Sequence, residues 1–465
     1  MLPTLTACYH GAENSIPILY LGERSMGAIS PLDGRYRRGV SPLRRFFSEE
    51  ALNAARLEVE LAYFIALSNQ GLIRTFRPEE ITLLRRIAKS LPAQNDRLKE
   101  IERAINHDTK AVEYFIREQI TGTTLEDLVE FVHFGLTSAD VDNLAWGRLF
   151  KLGLEEELFP AVEELSARLA KMTEEYKDCP MLGRTHGQPA VPTTVGQQFL
   201  VFASRIRSEL NKLRRMEIPG KLGGALGNFQ AHRLAFPEFF WLGFAEDFVK
   251  SLGLEPKLVT TQIPPYEDLC EIFDALRRIN TIVLGLNRDL WDYLSRGYFT
   301  LAIKNQEVGS STMPQKVNPI DFERSEAYLK VANALWEMLA RELPQNRLQR
   351  DLTDKYLLRV VGEAAAYSYL SWGATLNGLR KLHADREVLE QDLLNHWEIL
   401  AEAIQIILRK HGFVEAFETV KKLTRGRVLG EKEYRQMLAE LQPQVSPTAF
   451  AELEKLHPLE VLKWE

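Results

Sequence analysis

Cysteine is scarce. Cys8, Cys179 and Cys270 are the only three in 465 residues, far apart and without a CxxC pair. This excludes a disulfide framework and a thiolate zinc site, and it fits a reducing cytoplasm. The nine histidines form no HxxxH or HxH pair, so no metal is expected. No apolar run reaches the roughly 18–20 residues needed to span a bilayer. Neither sign of charge dominates: 58 Lys and Arg stand against 64 Asp and Glu, a net of −6. A nucleic-acid protein would carry a basic patch or excess. A secretory leader is not expected either, because Arg24 is the only early basic residue and Glu13 precedes the apolar stretch 16–21. Residues 1–26 read as an N-terminal extension of unassigned role, such as a mis-chosen start codon would add.

What the chain has in quantity is helical periodicity. Leu269, Ile272, Leu276, Ile279, Val283, Leu286, Leu290 and Tyr293 alternate by threes and fours. That spacing predicts one long helix over 267–296 with coiled-coil-like packing. Leu154 to Tyr176 and Val195 to Leu213 repeat the pattern. Residues 320–341 and the stretch from Ser48 to about Lys89 also read as helical. Several such helices imply an all-α protein built on a long bundle. Its length points to two or three domains. The boundaries fall at 1–26 (extension), 27–127 (N-terminal helical), 128–375 (central bundle) and 376–465 (C-terminal helical).

Between the two longest helical stretches lies GSSTMPQKVNP, residues 309–319. Gly309 opens backbone angles closed to other residues. Pro314 and Pro319 exclude helix across it. Ser310, Ser311, Thr312, Lys316 and Asn318 supply hydroxyls, a cation and an amide. Rigidly held loops of this kind commonly carry function. Other polar groups sit in similar settings. Arg35 and Tyr36 follow the Asp33-Gly34 turn, and Arg35 could grip an anion with its planar fork. Asn106, His107 and Asp108 adjoin a helical run. Thr137-Ser138 reads as a helix N-cap, which is also an anion site. His186 lies in LGRTHGQPAVPTTVG, residues 182–196, whose glycines and prolines predict a loop. An imidazole there suits proton transfer near neutral pH. Glycine-rich 219–232 follows no expected strand and lacks GK[ST], which argues against a dinucleotide or P-loop fold, and close backbone approach at a site is expected.

GSSTMPQKVNP resembles the signature loop of the fumarase/aspartase superfamily, GSSxMPxKxNP. SPLDGRY, NHDTKAVEYF, RTHGQPA, TTQIPP and RLQRDLTDKYLLR resemble motifs of its adenylosuccinate lyase branch, of the bacterial and plant type. The likeness covers about residues 27–430. It implies β-elimination that releases fumarate from adenylosuccinate and from the succinylated aminoimidazole carboxamide ribotide of purine synthesis. It implies Ser310 as general base and His186 as general acid. Arg35, Tyr36, Asn106, His107, Asp108, Thr137, Ser138, Gln262, Ser311, Lys316, Val317, Asn318, Arg350 and Arg359 would bind substrate, and Glu323 would orient the histidine. It also implies a homotetramer with active sites shared between chains, and no organic cofactor. The signature loop is expected to close over substrate.

Five positions depart from the pattern. Ala139 stands for Glu and Asp142 for Asn in the Thr-Ser motif. Lys355-Tyr356 replaces a Ser-Thr whose serine holds the nucleotide phosphate, and Arg324 replaces Asn. Lys355 and Arg324 could retain the phosphate by charge or admit another anion. A sister lyase acting on argininosuccinate or another fumarate adduct therefore stays open. So does a non-catalytic helical scaffold, although a scaffold has no physical need for Ser310, His186, Lys316 and Asn318. A nucleotide-binding regulator lacks a recognised binding loop.

Overall fold

The computed structural model describes residues 28–303 and 311–460. The expected extension 1–26, Cys8, Gly309 and Ser310 lie outside them. The chain divides into two compact units, Met1–Ser41 and Pro42–Glu465. In the first, the described residues form successive turns. Gly34 N–H donates to the Ser30 carbonyl at 3.1 Å and Tyr36 N–H to Pro31 at 2.9 Å. Arg35 is exposed and Tyr36 half-buried.

After a single helical turn at Arg44–Phe47, the second unit runs through α1 (Glu49–Asn69), α2 (Pro78–Ile105) and α3 (Asp108–Ile120). The helix expected over 48–89 is thus broken. Gly71 adopts φ +69° and Pro78 restarts the chain at the first turn of α2, where a missing N–H costs nothing. Asn106, at φ +53°, closes α2 in the left-handed conformation, and His107 caps α3 by accepting Lys110 N–H at 3.2 Å.

The remaining helices build the bundle. They are α4 (Ser138–Gly153), α5 (Phe159–Glu175), α6 (Val195–Leu213), α7 (Trp241–Ser251), α8 (Glu267–Ser295), α9 (Ile320–Glu342), α10 (Thr353–Leu358) and α11 (Val361–Lys381). Helices α5, α6, α8, α9 and α11 pack pairwise into a closed ring. The stripe read on α8 faces inward: Ile272, Leu276, Ile279, Val283, Leu286 and Leu290 are buried. Each such side chain contributes about 1.5–3 kcal/mol relative to exposure. Phe273 and Trp336 fill the space between α8 and α9, ring centroids 4.9 Å apart.

Two polar layers interrupt this apolar core. Asn287 Nδ2 donates to Ser325 Oγ at 2.9 Å, and Thr375 Oγ1 donates back to Asn287 Oδ1 at 2.9 Å. Ser325 and Thr375 share a bond at 2.8 Å, closing a ring across α8, α9 and α11. One heptad earlier, Ser368 Oγ accepts from Asn280 Nδ2 at 2.9 Å and from Trp336 Nε1 at 3.0 Å.

Residues 182–196 differ from the expected loop. They lie largely in an antiparallel hairpin, β1 (Pro180–Thr185) with β2 (Gln188–Thr194). Among the described residues β2 pairs only with β1, so Pro189 and Pro192 sit on an edge strand, where the absent N–H is tolerated. The glycine-rich stretch 219–232 itself opens with a two-residue strand, β3 (Pro219–Gly220), which runs parallel to β4 (Glu255–Pro256). β5 (Phe299–Leu301) pairs with β6 (Leu382–Ala384). Beyond β6, Leu393, Trp397, Leu408, Tyr434 and Leu453 form a C-terminal core that takes in Leu182 of the hairpin. Cys179 and Cys270 are buried free thiols. Among the described residues, no helix is long and apolar enough to cross a membrane.

Candidate active site

The site residues of the second unit fall into two groups at opposite ends of α8. Tyr266, just before α8, donates its hydroxyl to Asp354 Oδ2 at 2.7 Å. Near the other end, Trp291 Nε1 donates to Glu323 Oε1 at 3.2 Å. At 1.5 Å per residue these two points are about 37 Å apart.

The group at the start of α8 is built on a buried ion pair. Asp140 and Lys221 are both fully buried, with Nζ 2.6 Å from Oδ1. Asp140 also accepts the N–H groups of Thr137 (2.9 Å), Gly223 (3.0 Å) and Gly224 (3.0 Å). Lys221 Nζ donates to the carbonyls of Gly224 (2.8 Å) and Gln262 (2.9 Å). All three ammonium protons and both carboxylate oxygens are therefore used. Burial pulls the Lys221 pKa below its ordinary value, with Asp140 opposing. Asn143 adds a further tie, accepting Lys221 N–H at 2.7 Å and donating to the Lys221 carbonyl at 2.9 Å.

This lock joins three segments: the N-terminus of α4 with Thr137 and Ser138, the glycine-rich loop, and the Gln262 loop. Gln262 reaches on to the Arg350 segment, its N–H 3.3 Å from the Gln349 carbonyl. Gly227, at φ +73°, shows why glycine is needed there, because an added Cβ would lie 2.5 Å from the Thr260 carbonyl oxygen. Thr137 and Ser138 are half-buried, and the Ser138 hydroxyl takes no partner among the described residues.

Beside the lock lies a charge cluster. Buried Arg56 on α1 donates Nε to Asp142 Oδ1 at 2.7 Å and Nη2 to Asp108 Oδ2 at 2.9 Å. Lys355 Nζ lies 2.6 Å from Asp108 Oδ1 and 3.3 Å from Asp142 Oδ2. Arg359 Nη2 is 3.3 Å from Asp108 Oδ2. Burial acts to raise the Asp108 pKa, but Arg56 and then Lys355 outweigh it and hold the carboxyl well below the usual range. Arg350 is largely buried, 3.6 Å from Asp354. Tyr356 is exposed, with the Arg359 guanidinium 6.0 Å from its ring centre. The sequence reading missed Arg56, Asp140, Asn143 and Lys221. A signal existed for Arg56: it and Glu60 stand four apart on the buried face of α1.

The second group gathers at the far end of α8. His186 and Gly187, at φ +52° and +75°, form the two-residue tip of the β1–β2 hairpin. This is the turn type with both central residues left-handed. It projects His186 into solvent. Arg184 Nη2 pairs with Asp392 at 2.8 Å, and its Nε lies 3.4 Å from the Tyr298 hydroxyl, anchoring the hairpin. Thr185 and Gly187 line one cavity with Asp289, Asp292 and Arg296 of the α8 end. Lys316, Val317 and Asn318 line another of about 400 Å³ with Asp321 and Lys381. Ser311, Lys316 and Val317 are exposed. Arg324 pairs with Asp321 at 2.7 Å. Among the described residues, no hydrogen bond or ion pair joins His186 to Glu323. Ser310, the expected base, lies outside the described residues.

A helical-bundle lyase of the fumarase and aspartase type is the class these features define. The Lyase family model matches residues 34–332. The fumarate lyase of Mesorhizobium sp. BNC1 has the same fold, with TM-score 0.72 at 17% identity over 91% of this chain and 95% of that one. The adenylosuccinate lyase C-terminal model matches residues 346–462. The adenylosuccinate lyase of Haemophilus influenzae is 40% identical over 93% of this chain and 96% of its own. That of Dictyostelium discoideum is 43% identical over 88% and 90%. The chain belongs to the adenylosuccinate lyase family.

Proposed function

We propose that the protein releases fumarate from adenylosuccinate, giving AMP, and from the succinylated aminoimidazole carboxamide ribotide, in purine synthesis. The observation that carries this reading is the identity of about 40% with adenylosuccinate lyases over nearly the whole chain. Ser310, as alkoxide, takes the proton on the carbon next to a carboxylate. The electron pair that proton leaves behind forms the carbon–carbon double bond of fumarate as the C–N bond breaks. Before it breaks, charge gathers on the carboxylate beside the deprotonated carbon. Lys316, Asn318 and backbone N–H groups of the loop would stabilise it, at about 3–4 kcal/mol per well-placed donor. His186 protonates the leaving nitrogen, a contribution of roughly 10²–10⁴ in rate. The hairpin tip leaves its imidazole open to such a partner.

Asn106, His107, Asp108, Thr137, Ser138, Gln262, Ser311, Val317 and Arg350 take the rest of the substrate, with Arg35, Tyr36 and Arg359 on its phosphate. Glu323 holds the histidine. The signature loop closes to exclude water. Within the second unit, the His186 end and the Arg359 end lie about 37 Å apart by the helical rise, which favours sites that combine several chains; the family resemblance supports a homotetramer. The domain limits of 27–127, 128–375 and 376–465 and a cytoplasmic setting complete the reading.

The test is fumarate release from adenylosuccinate, beside Ser310→Ala and His186→Ala. Turnover that drops by at least a thousandfold in the Ser310 variant supports the assignment. No turnover from well-folded wild-type protein overturns it.

A further inference from the structure

The charge cluster at the start of α8 holds three cations, Arg56, Lys355 and Arg359, against two carboxylates, Asp108 and Asp142, a surplus of one positive charge. The cations are not equivalent. The Arg56 side chain is 3% exposed and Lys355 15%, while Arg359 is 45% exposed. Arg56 and Lys355 each touch both carboxylates, whereas Arg359 touches only Asp108, at a longer 3.3 Å. The surplus charge therefore faces outward on Arg359.

We propose that Lys355 is a positioning residue: it neutralises Asp108 and Asp142 so that Arg359 remains available to an anionic group of the substrate. Its own ammonium is spent on the two carboxylates and does not grip the phosphate. Removing the Lys355 charge leaves two carboxylates against Arg56 and Arg359. Arg359 is then drawn inward to Asp108, and the site presents no net charge to an anion. A direct pair between Arg359 and a phosphate is the geometry a guanidinium favours. The assignment of the anion as a nucleotide phosphate rests on the function proposed above.

Neutralising Asp142 separates the two roles. Lys355→Met should weaken AMP binding at least tenfold, read by calorimetric titration of the intact oligomer. Lys355→Met with Asp142→Asn restores the surplus of one, since Arg56 and Arg359 then face Asp108 alone. The double variant should bind AMP within about threefold of wild type. Lys355→Arg should do the same. For adenylosuccinate turnover, the loss in Lys355→Met should fall on KM and leave kcat largely intact. A double variant as weak as Lys355→Met, or a Lys355→Met variant that binds AMP normally, overturns the proposal. If Lys355→Met alone does not fold, the double variant compared with Asp142→Asn decides: equal AMP affinity upholds the proposal, and a tenfold gap sinks it. AMP binding that follows the predicted pattern in a protein that releases no fumarate would sink the proposed reaction and leave this inference standing.

Discussion

Tyr63 donates its hydroxyl to the Phe134 carbonyl at 2.9 Å, so its oxygen is left to accept from His232 Nε2 at 3.1 Å. His232 therefore presents an N–H at Nε2. It is fully buried among Phe134, Phe229 and Trp241, and its Nδ1 has no partner among the described residues, so the ring is neutral at pH 7. Burial lowers its pKa to about 4, against a weaker pull upward from Asp140. In the unfolded chain the ring titrates near 6.5. A depressed pKa gives stability that is present above the unfolded value and lost as pH falls through the folded one. Acidification from pH 7 to pH 4 should cost on the order of 3 kcal/mol through this residue, at about 1.4 kcal/mol per pKa unit. His133 runs the other way. Burial lowers its pKa, but Glu60 at 2.5 Å outweighs that and raises it. Its contribution is complete below the unfolded pKa and lost as pH rises through the folded one. Denaturant unfolding of wild type and His232→Phe at several pH values isolates the first effect. The stability gap should shift in favour of the variant between pH 6.5 and 4, and a constant gap would refute the assignment.

At the scale of elements, the bundle helices were the most legible part of the sequence, because a stripe of threes and fours has one physical solution. The polar members of those helices were less so. Asn287, Ser325 and Thr375 come from three helices, and nothing local pairs them. Their closed ring satisfies each group and fixes the mutual register of α8, α9 and α11. Replacing Asn287 with Leu leaves the Ser325 and Thr375 hydroxyls bonded only to each other, each short of one buried partner at about 1–2 kcal/mol. We expect a loss of about 2–4 kcal/mol in denaturant unfolding. The triple variant Asn287→Leu, Ser325→Ala, Thr375→Val should recover most of it, since no orphan remains. A single variant as stable as wild type would mean that the ring holds nothing. The hairpin was hidden for the opposite reason. Its prolines and glycine are loop signals, and only the pairing of β2 on one side makes them compatible with a strand. Lys355 was hidden by distance. From the sequence, Lys355 reads as a cation for the phosphate or for another anion, and its partner Asp108 lies 247 positions away. Thr137 as a helix cap was readable, because capping is local. The Lys221–Asp140 lock beneath it was not.

At the scale of the whole molecule, the length of α8 decides which groups one chain can bring together. His186 belongs to the hairpin at its C-terminal end, and Arg359 to the charge cluster at its N-terminal end. A separation of about 37 Å along the axis exceeds the reach of one nucleotide. One chain cannot present both groups to the same substrate, but neighbouring copies in a symmetric assembly can bring opposite ends together. Two inactive variants, His186→Ala and Arg359→Ala, should then complement each other. In mixed oligomers formed by co-expression, a site drawing its histidine and its arginine from different chains is intact when each donor happens to be native. Random assembly of equal amounts makes about one quarter of the sites complete, on the assumption of closed, equivalent interfaces. Fumarate release by the mixture should approach one quarter of the wild-type rate, and sedimentation should give a tetramer. Activity that never rises above the sum of the two parents would place both groups in one chain's site. That result would require a rearrangement of the bundle far larger than closure of a loop.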